Sequence, residues 1–121
     1  MNIQHNTYTF ALCAGRHPIP GNPDAIFPET VNPLDLDGMF ETAQRAIPED
    51  CTDLTLYVTG LTVAMLTVVQ VCLNRGVSLT ALHFDRTSGM YYAQRMLRFD
   101  RCPFCGAPML PSDLHCPHCC A

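Results

Sequence analysis

The 121 residues contain no lysine and no tryptophan, so the chain's permanent positive charge is carried by seven arginines. That inventory is as readily a trace of genomic base composition as of function. Long apolar runs are also missing. The longest candidate, Leu61 to Leu73, is interrupted by Thr67 and Gln70 and is too short to span a bilayer. Met1 to Asn6 is polar and lacks the basic and apolar regions of a signal peptide, so a cytoplasmic chain with no membrane partner is expected. The net charge of −4 argues against broad binding to duplex nucleic acid. There is no P-loop, no dinucleotide fingerprint, and no Ser-His-Asp arrangement in motif context.

Charge and cysteine are unevenly placed. Residues 1–53 carry Arg16 and Arg45 against eight carboxylates, whereas residues 75–101 carry five arginines against Asp85 and Asp100. Four of the eight cysteines, Cys102, Cys105, Cys116 and Cys119, form two Cys-x-x-Cys knuckles near the C-terminus. Each knuckle presents two thiolates from one tight turn, and two knuckles complete a tetrahedral structural zinc site. Pro103 and Pro117 stiffen the turns, and Gly106 supplies a position that tolerates positive φ. His115, His118 and Cys120 are near enough to substitute as ligands. A closed all-thiolate site leaves no position for water or substrate, so this metal is expected to stabilise structure only. Cys13, Cys51 and Cys72 stand singly and read as buried or reduced thiols.

Upstream of the ribbon the pattern is that of one small α/β domain, residues 1–98, with the ribbon over 99–121. Alternation of Tyr8, Phe10 and Leu12 with small polar residues predicts a strand over 7–13. Five prolines between Ala14 and Pro33 rule out a continuous helix or central strand there, and a long irregular loop is expected. Asn32-Pro33-Leu34-Asp35 reads as a helix start with Asp35 as N-cap, followed by Leu36, Met39, Phe40, Ala43 and Ile47 at helical spacing. A strand over 53–59 precedes a helix over 62–74 that is apolar on nearly every face, as in a buried helix, with Gly76 ending it. Strands over 77–84 and 90–97 flank a turn at 85–89. The order β-α-β-α-β-β predicts a small three-layer Rossmann-like domain with a mostly parallel sheet and a hairpin edge.

Ligands of open α/β sheets bind beyond the carboxyl ends of the parallel strands. Two segments fall there: Gly15-Arg16-His17-Pro18, and Thr59-Gly60-Leu61-Thr62 at the start of the second helix. Gly60 permits close backbone approach, the threonines offer hydroxyls, and a helix N-terminus attracts anions. A threonine beside a helix start is more often a cap than a ligand contact. Arg16 is suited to a bidentate phosphate contact, and His17 to proton transfer or hydrogen bonding. His83 reads as a packed strand residue, and Arg95, Arg98 and Arg101 as a solvated face, with a polyanion surface as the lesser alternative.

The stretch Leu54 to Met96, with LYVTGLTVAMLTVVQVCLNRGVSLTALHFDRTSG at its centre, resembles the last strand-helix-strand-hairpin unit of CRISPR-associated Rossmann-fold (CARF) sensor domains. Gly15-Arg16-His17-Pro18 is similar to the Arg-His-Pro start of small stand-alone CRISPR ring nucleases. The resemblance spans about residues 7–97. The chain departs from that pattern in having no lysine after the glycine turn and an added cysteine ribbon, and no fused effector domain is expected. The resemblance implies a homodimer that binds a cyclic oligoadenylate across its two-fold axis. It further implies cleavage without a catalytic metal, by in-line attack of a ribose 2′-hydroxyl, with positioning and electrostatics carrying the rate. On that basis Arg16 and His17 are the candidate catalytic residues, and Gly15, Arg16, Thr59, Gly60, Leu61 and Thr62 the candidate ligand contacts. The competing expectation is a noncatalytic adaptor whose zinc ribbon, with Arg95, Arg98 and Arg101, binds protein or nucleic acid.

Overall fold

A computed structural model of the chain describes residues 5–15 and 18–119. Its elements are β1 (Thr7–Cys13), β2 (Ala25–Phe27), α1 (Leu36–Ala46), β3 (Asp53–Tyr57), α2 (Thr62–Arg75), β4 (Ser78–Asp85), β5 (Met90–Leu97), β6 (Asp100–Arg101) and β7 (Pro108–Met109). The first five strands form one sheet in the order β2-β1-β3-β4-β5, parallel except for β5, which runs antiparallel to β4. The fold is therefore mixed α/β with a mostly parallel sheet, as the strand and helix periodicities indicate. Among the described residues, no helix is long and apolar enough to cross a membrane.

The strand β2 lies inside the segment expected to be irregular. Pro23 and Pro28 bracket it, but an edge strand needs ladder bonds on one side only. The Ala11 N–H donates to the Asp24 carbonyl and the Ala14 N–H to the Phe27 carbonyl, which fastens this segment along β1. The strand expected over 53–59 ends at Tyr57, although the Val58 N–H still donates to the Leu82 carbonyl.

The domain has two layers and not three. From β1 to β3 to β4 the chain steps across the sheet in one direction, so crossovers of one hand place both helices on the same face. α1 and α2 accordingly pack against each other. Leu12, Phe27, Ile47, Leu54, Leu56, Val68 and Leu79 fill the space between helices and sheet. The opposite face carries Thr9, Thr55 and Thr80 in register, with the Tyr57 and Tyr91 rings meeting edge to face at 4.9 Å.

Local chemistry sets the helix ends. Asp35 caps α1, its Oδ1 accepting from the Gly38 N–H at 3.0 Å. Gly76 ends α2 in the left-handed conformation, at φ 68°. α2, expected to be largely buried, is buried on one face only. Ala64, Thr67, Val68, Val71 and Cys72 are buried, whereas Leu66 and Leu73 are 60% and 53% exposed, because only one face of a two-layer helix meets the sheet.

The ribbon is seated at the amino end of β4. The Ser78 hydroxyl accepts from the Phe99 N–H at 2.9 Å and donates to its carbonyl at 3.2 Å. Arg101 donates to the Gly76 carbonyl at 2.9 Å, and Pro108 packs so closely on Gly76 that a Cβ there would overlap it. The three arginines grouped as one solvated face thus have separate partners. Arg95 pairs with Asp53 at 3.7 Å and Arg98 with Asp100 at 3.3 Å.

Candidate functional site

The carboxyl ends of β1 and β3 are locked together by one side chain. Thr59, 3% exposed, donates its hydroxyl to the Cys13 carbonyl at 3.0 Å and accepts from the Cys13 N–H at 3.4 Å. Its hydroxyl is therefore engaged with protein backbone, and Thr59 meets a ligand only through its backbone or by fixing its neighbours. Gly60 follows at φ 104°, a conformation that disfavours a side chain, and swings the chain into α2. Leu61 occupies the N-cap position without a side-chain hydrogen bond, and exposed Thr62 is the first residue inside the helix. Neither threonine caps α2. Among the described residues its first-turn N–H groups thus have no side-chain partner, which leaves the positive end of the helix dipole open to an anion.

Three concavities surround this edge. Gly15, with Cys13, Pro18, Asn22 and Ala25, lines a cavity of about 540 Å³ at the end of β1. Gly15 sits at φ 73° beside the Glu29 side chain, whose Cδ would lie 2.8 Å from a Cβ at that position. Leu61 and Glu29 line a second cavity of about 330 Å³. Gly15 and the Thr59–Thr62 turn are therefore brought to one edge, as expected of the two loops. Arg16 and His17, the residues proposed for catalysis, lie outside the described residues.

The third concavity, about 430 Å³, is lined by Val58, Thr59, Gly60, His83, Phe84, Arg86 and Tyr92. His83 and Tyr92 are cross-strand partners on β4 and β5, with ring centroids 5.2 Å apart and planes tilted by 32°. The His83 Nε2 is buried and has no hydrogen-bond partner among the described residues. Such an atom forfeits its hydration, at a cost of about 1–3 kcal/mol. Arg86 is exposed and makes no ion pair among the described residues. The strand pattern marks His83 as a packed residue, Arg86 as part of a turn and Tyr92 as part of a strand, and singles out neither of the last two as a site residue. The available signal was a polar residue in phase with Leu79 and Ala81 on the helix-facing side of β4.

The second centre is the cysteine cluster. The Sγ atoms of Cys102, Cys105, Cys116 and Cys119 all lie within 4.8 Å of one another. Cys102 and Cys119 are 3.7 Å apart, and Cys105 and Cys116 are 3.6 Å apart. A disulfide needs about 2.05 Å, whereas four sulfurs at about 2.3 Å from a tetrahedral metal lie roughly 3.8 Å apart. The N–H groups of Phe104 and His118 approach Cys102 and Cys116 Sγ, each at 3.4 Å, as in a metal knuckle. Backbone hydrogen bonds, that of Cys105 foremost, lower the Cys102 thiol to about 6, and the Cys119 N–H leads in lowering Cys116. Cys105 moves the other way: the Ala107 N–H lowers it, but desolvation and the neighbouring Cys116 and Cys102 thiols outweigh that contribution. Four thiolates in this volume repel one another unless a cation lies between them, so the donor set fits a soft, tetrahedral metal. Cys120 lies outside the described residues, and His115 and His118 are not part of the cluster.

Comparison with protein-family models, curated proteins and solved structures finds no match for this chain.

Proposed function

We propose that the α/β domain binds a cyclic oligoadenylate at the carboxyl edge of its sheet. The observation that carries this reading is the convergence of Gly15, the Gly60 turn and the uncapped first turn of α2 at one edge, tied together by the Thr59–Cys13 hydrogen bonds. Backbone N–H groups at a helix start, reached past a glycine, form an anion site that needs no lysine. The resemblance to CARF domains supplies the ligand class and a symmetric homodimer around it. Arg16 and His17, adjoining Gly15, are assigned to phosphate binding and proton transfer during attack by a 2′-hydroxyl on the adjacent phosphodiester. The attacking oxygen gains the bond to phosphorus, the 5′ oxygen leaves with a proton, and a 2′,3′-cyclic phosphate results.

The cluster of Cys102, Cys105, Cys116 and Cys119 is assigned to one structural zinc, which would hold the β6–β7 hairpin against the end of α2. A second reading, in which the ribbon binds a protein partner, is favoured by Phe104 and Leu114, which are 66% and 92% exposed.

The test is to mix purified protein with a panel of cyclic oligonucleotides and follow thermal shift, product formation and oligomeric state together. Stabilisation of a dimer by a cyclic oligoadenylate is expected, with cleavage abolished in His17→Ala while binding persists. A monomer that none of the panel stabilises would overturn the reading.

A further inference from the structure

We propose that the cavity between the Gly60 turn and the β4–β5 hairpin is a nucleobase subsite in which a flat ring lies against Tyr92, hydrogen-bonds to His83 Nε2, and directs its phosphate toward Arg86. The subsite deepens the nucleotide-binding reading given above and rests on it. Its walls are of unlike chemistry, and each wall selects one part of a nucleotide. Tyr92 is an exposed aromatic ring, 55% accessible, braced on β5 by the tilted His83 ring. Aromatic rings held by a rigid strand stack bases at little entropic cost. His83 lines the same cavity and has a buried Nε2 without a partner among the described residues, so a ring nitrogen or exocyclic amine that meets it once the imidazole turns toward the cavity would restore what folding removed. Imidazole Nε2 serves as donor or acceptor according to tautomer, and suits either edge of a base. Arg86, at the hairpin turn, is a cation with no ion pair among the described residues, and the uncapped α2 N-terminus adjoins Gly60 across the cavity. A purely apolar ligand would leave Nε2 and the guanidinium unanswered. A bare anion would leave the Tyr92 ring unused.

Adenosine 5′-monophosphate and ribose 5-phosphate separate the base from the phosphate. Titrated into isotopically labelled full-length protein, the nucleotide is expected to shift the resonances of Gly60, His83 and Tyr92 saturably. Ribose 5-phosphate is expected to bind at least about tenfold more weakly, given what one stacked base contributes. His83→Ala and Tyr92→Ala should each weaken the nucleotide by about tenfold and leave ribose 5-phosphate unchanged, a contrast that general unfolding cannot produce. Equal affinity for the two probes, or shifts confined to Gly60–Val63, would overturn the base subsite while sparing the anion site at α2. Failure of both probes to saturate also overturns it. In that case a parallel titration with cyclic tetra-adenylate decides separately whether the wider nucleotide reading stands.

Discussion

Cys72 shows how one buried residue sets a limit on the conditions under which the fold survives. Burial pushes its thiol up to about 12, and burial likewise takes Cys51 up to about 11, from an ordinary value of 9.0. The folded state therefore keeps its protons where the unfolded chain has begun to lose them. Stability from these thiols is fully present below about pH 9 and declines as pH rises toward 11–12. Urea midpoints measured across that alkaline window should fall more steeply for the wild type than for Cys72→Ala, and parallel curves would count against this account. Thr59 makes a related point at neutral pH. A hydroxyl that a sequence offers to a ligand is held by the backbone of Cys13, a partner 46 positions away.

At the scale of elements, α2 is the informative case because its sequence is apolar on nearly every side. Periodicity alone cannot tell which apolar side is the inner one. The packing can. Val68 is fully buried, and Leu66, two positions earlier, is 60% exposed. Val68→Ala is expected to cost about 1–3 kcal/mol through lost burial and the cavity left behind. Leu66→Ala should change stability by less than about 0.5 kcal/mol, as at most surface positions. Denaturant titration of the two variants checks the orientation of the helix, and a reversed ranking would show that α2 is rotated. The helix ends depend on shorter-range information. Asp35 and Gly76 act through residues within a few positions, and both take the roles their residue types predict.

For the molecule as a whole, the ribbon and the α/β layer meet at Gly76. Alanine there would strain a left-handed residue, by about 1–2 kcal/mol, and would push Pro108 away from the end of α2. Gly76→Ala should therefore lower thermal stability and increase amide exchange over 99–109, while the sheet interior stays protected. Chelation should do something similar but more selective. A metal held by the four thiolates would contribute the folding energy of the knuckles, so on its removal exchange should rise across 100–119 while Leu54, Leu56 and Leu79 remain slow. Uniform protection after the metal has been removed would mean that the four thiols do not close a metal site.

What the sequence determined by itself is what depends on neighbours along the chain. The two Cys-x-x-Cys turns, the Asp35 cap, the Gly76 stop, and the strand and helix periods of β1, α1, β3, β4 and β5 are all of this kind, since their causes lie within about one turn or one pleat. Placing loops at the carboxyl edge also followed, because it needs only the parallel direction of the strands. Tertiary structure decided the rest. The strand β2 exists because β1 offers it an open edge, and no local propensity marks a three-residue segment between prolines. Two layers in place of three follow from the order in which the strands are laid down, a property of the whole sheet. The pairing of His83 with Tyr92 came from hairpin register, and their meeting with Gly60 from β3 and β4 lying side by side. Side-chain chemistry is written locally, but a binding site is a set of distances between residues far apart in sequence, and only packing supplies those distances.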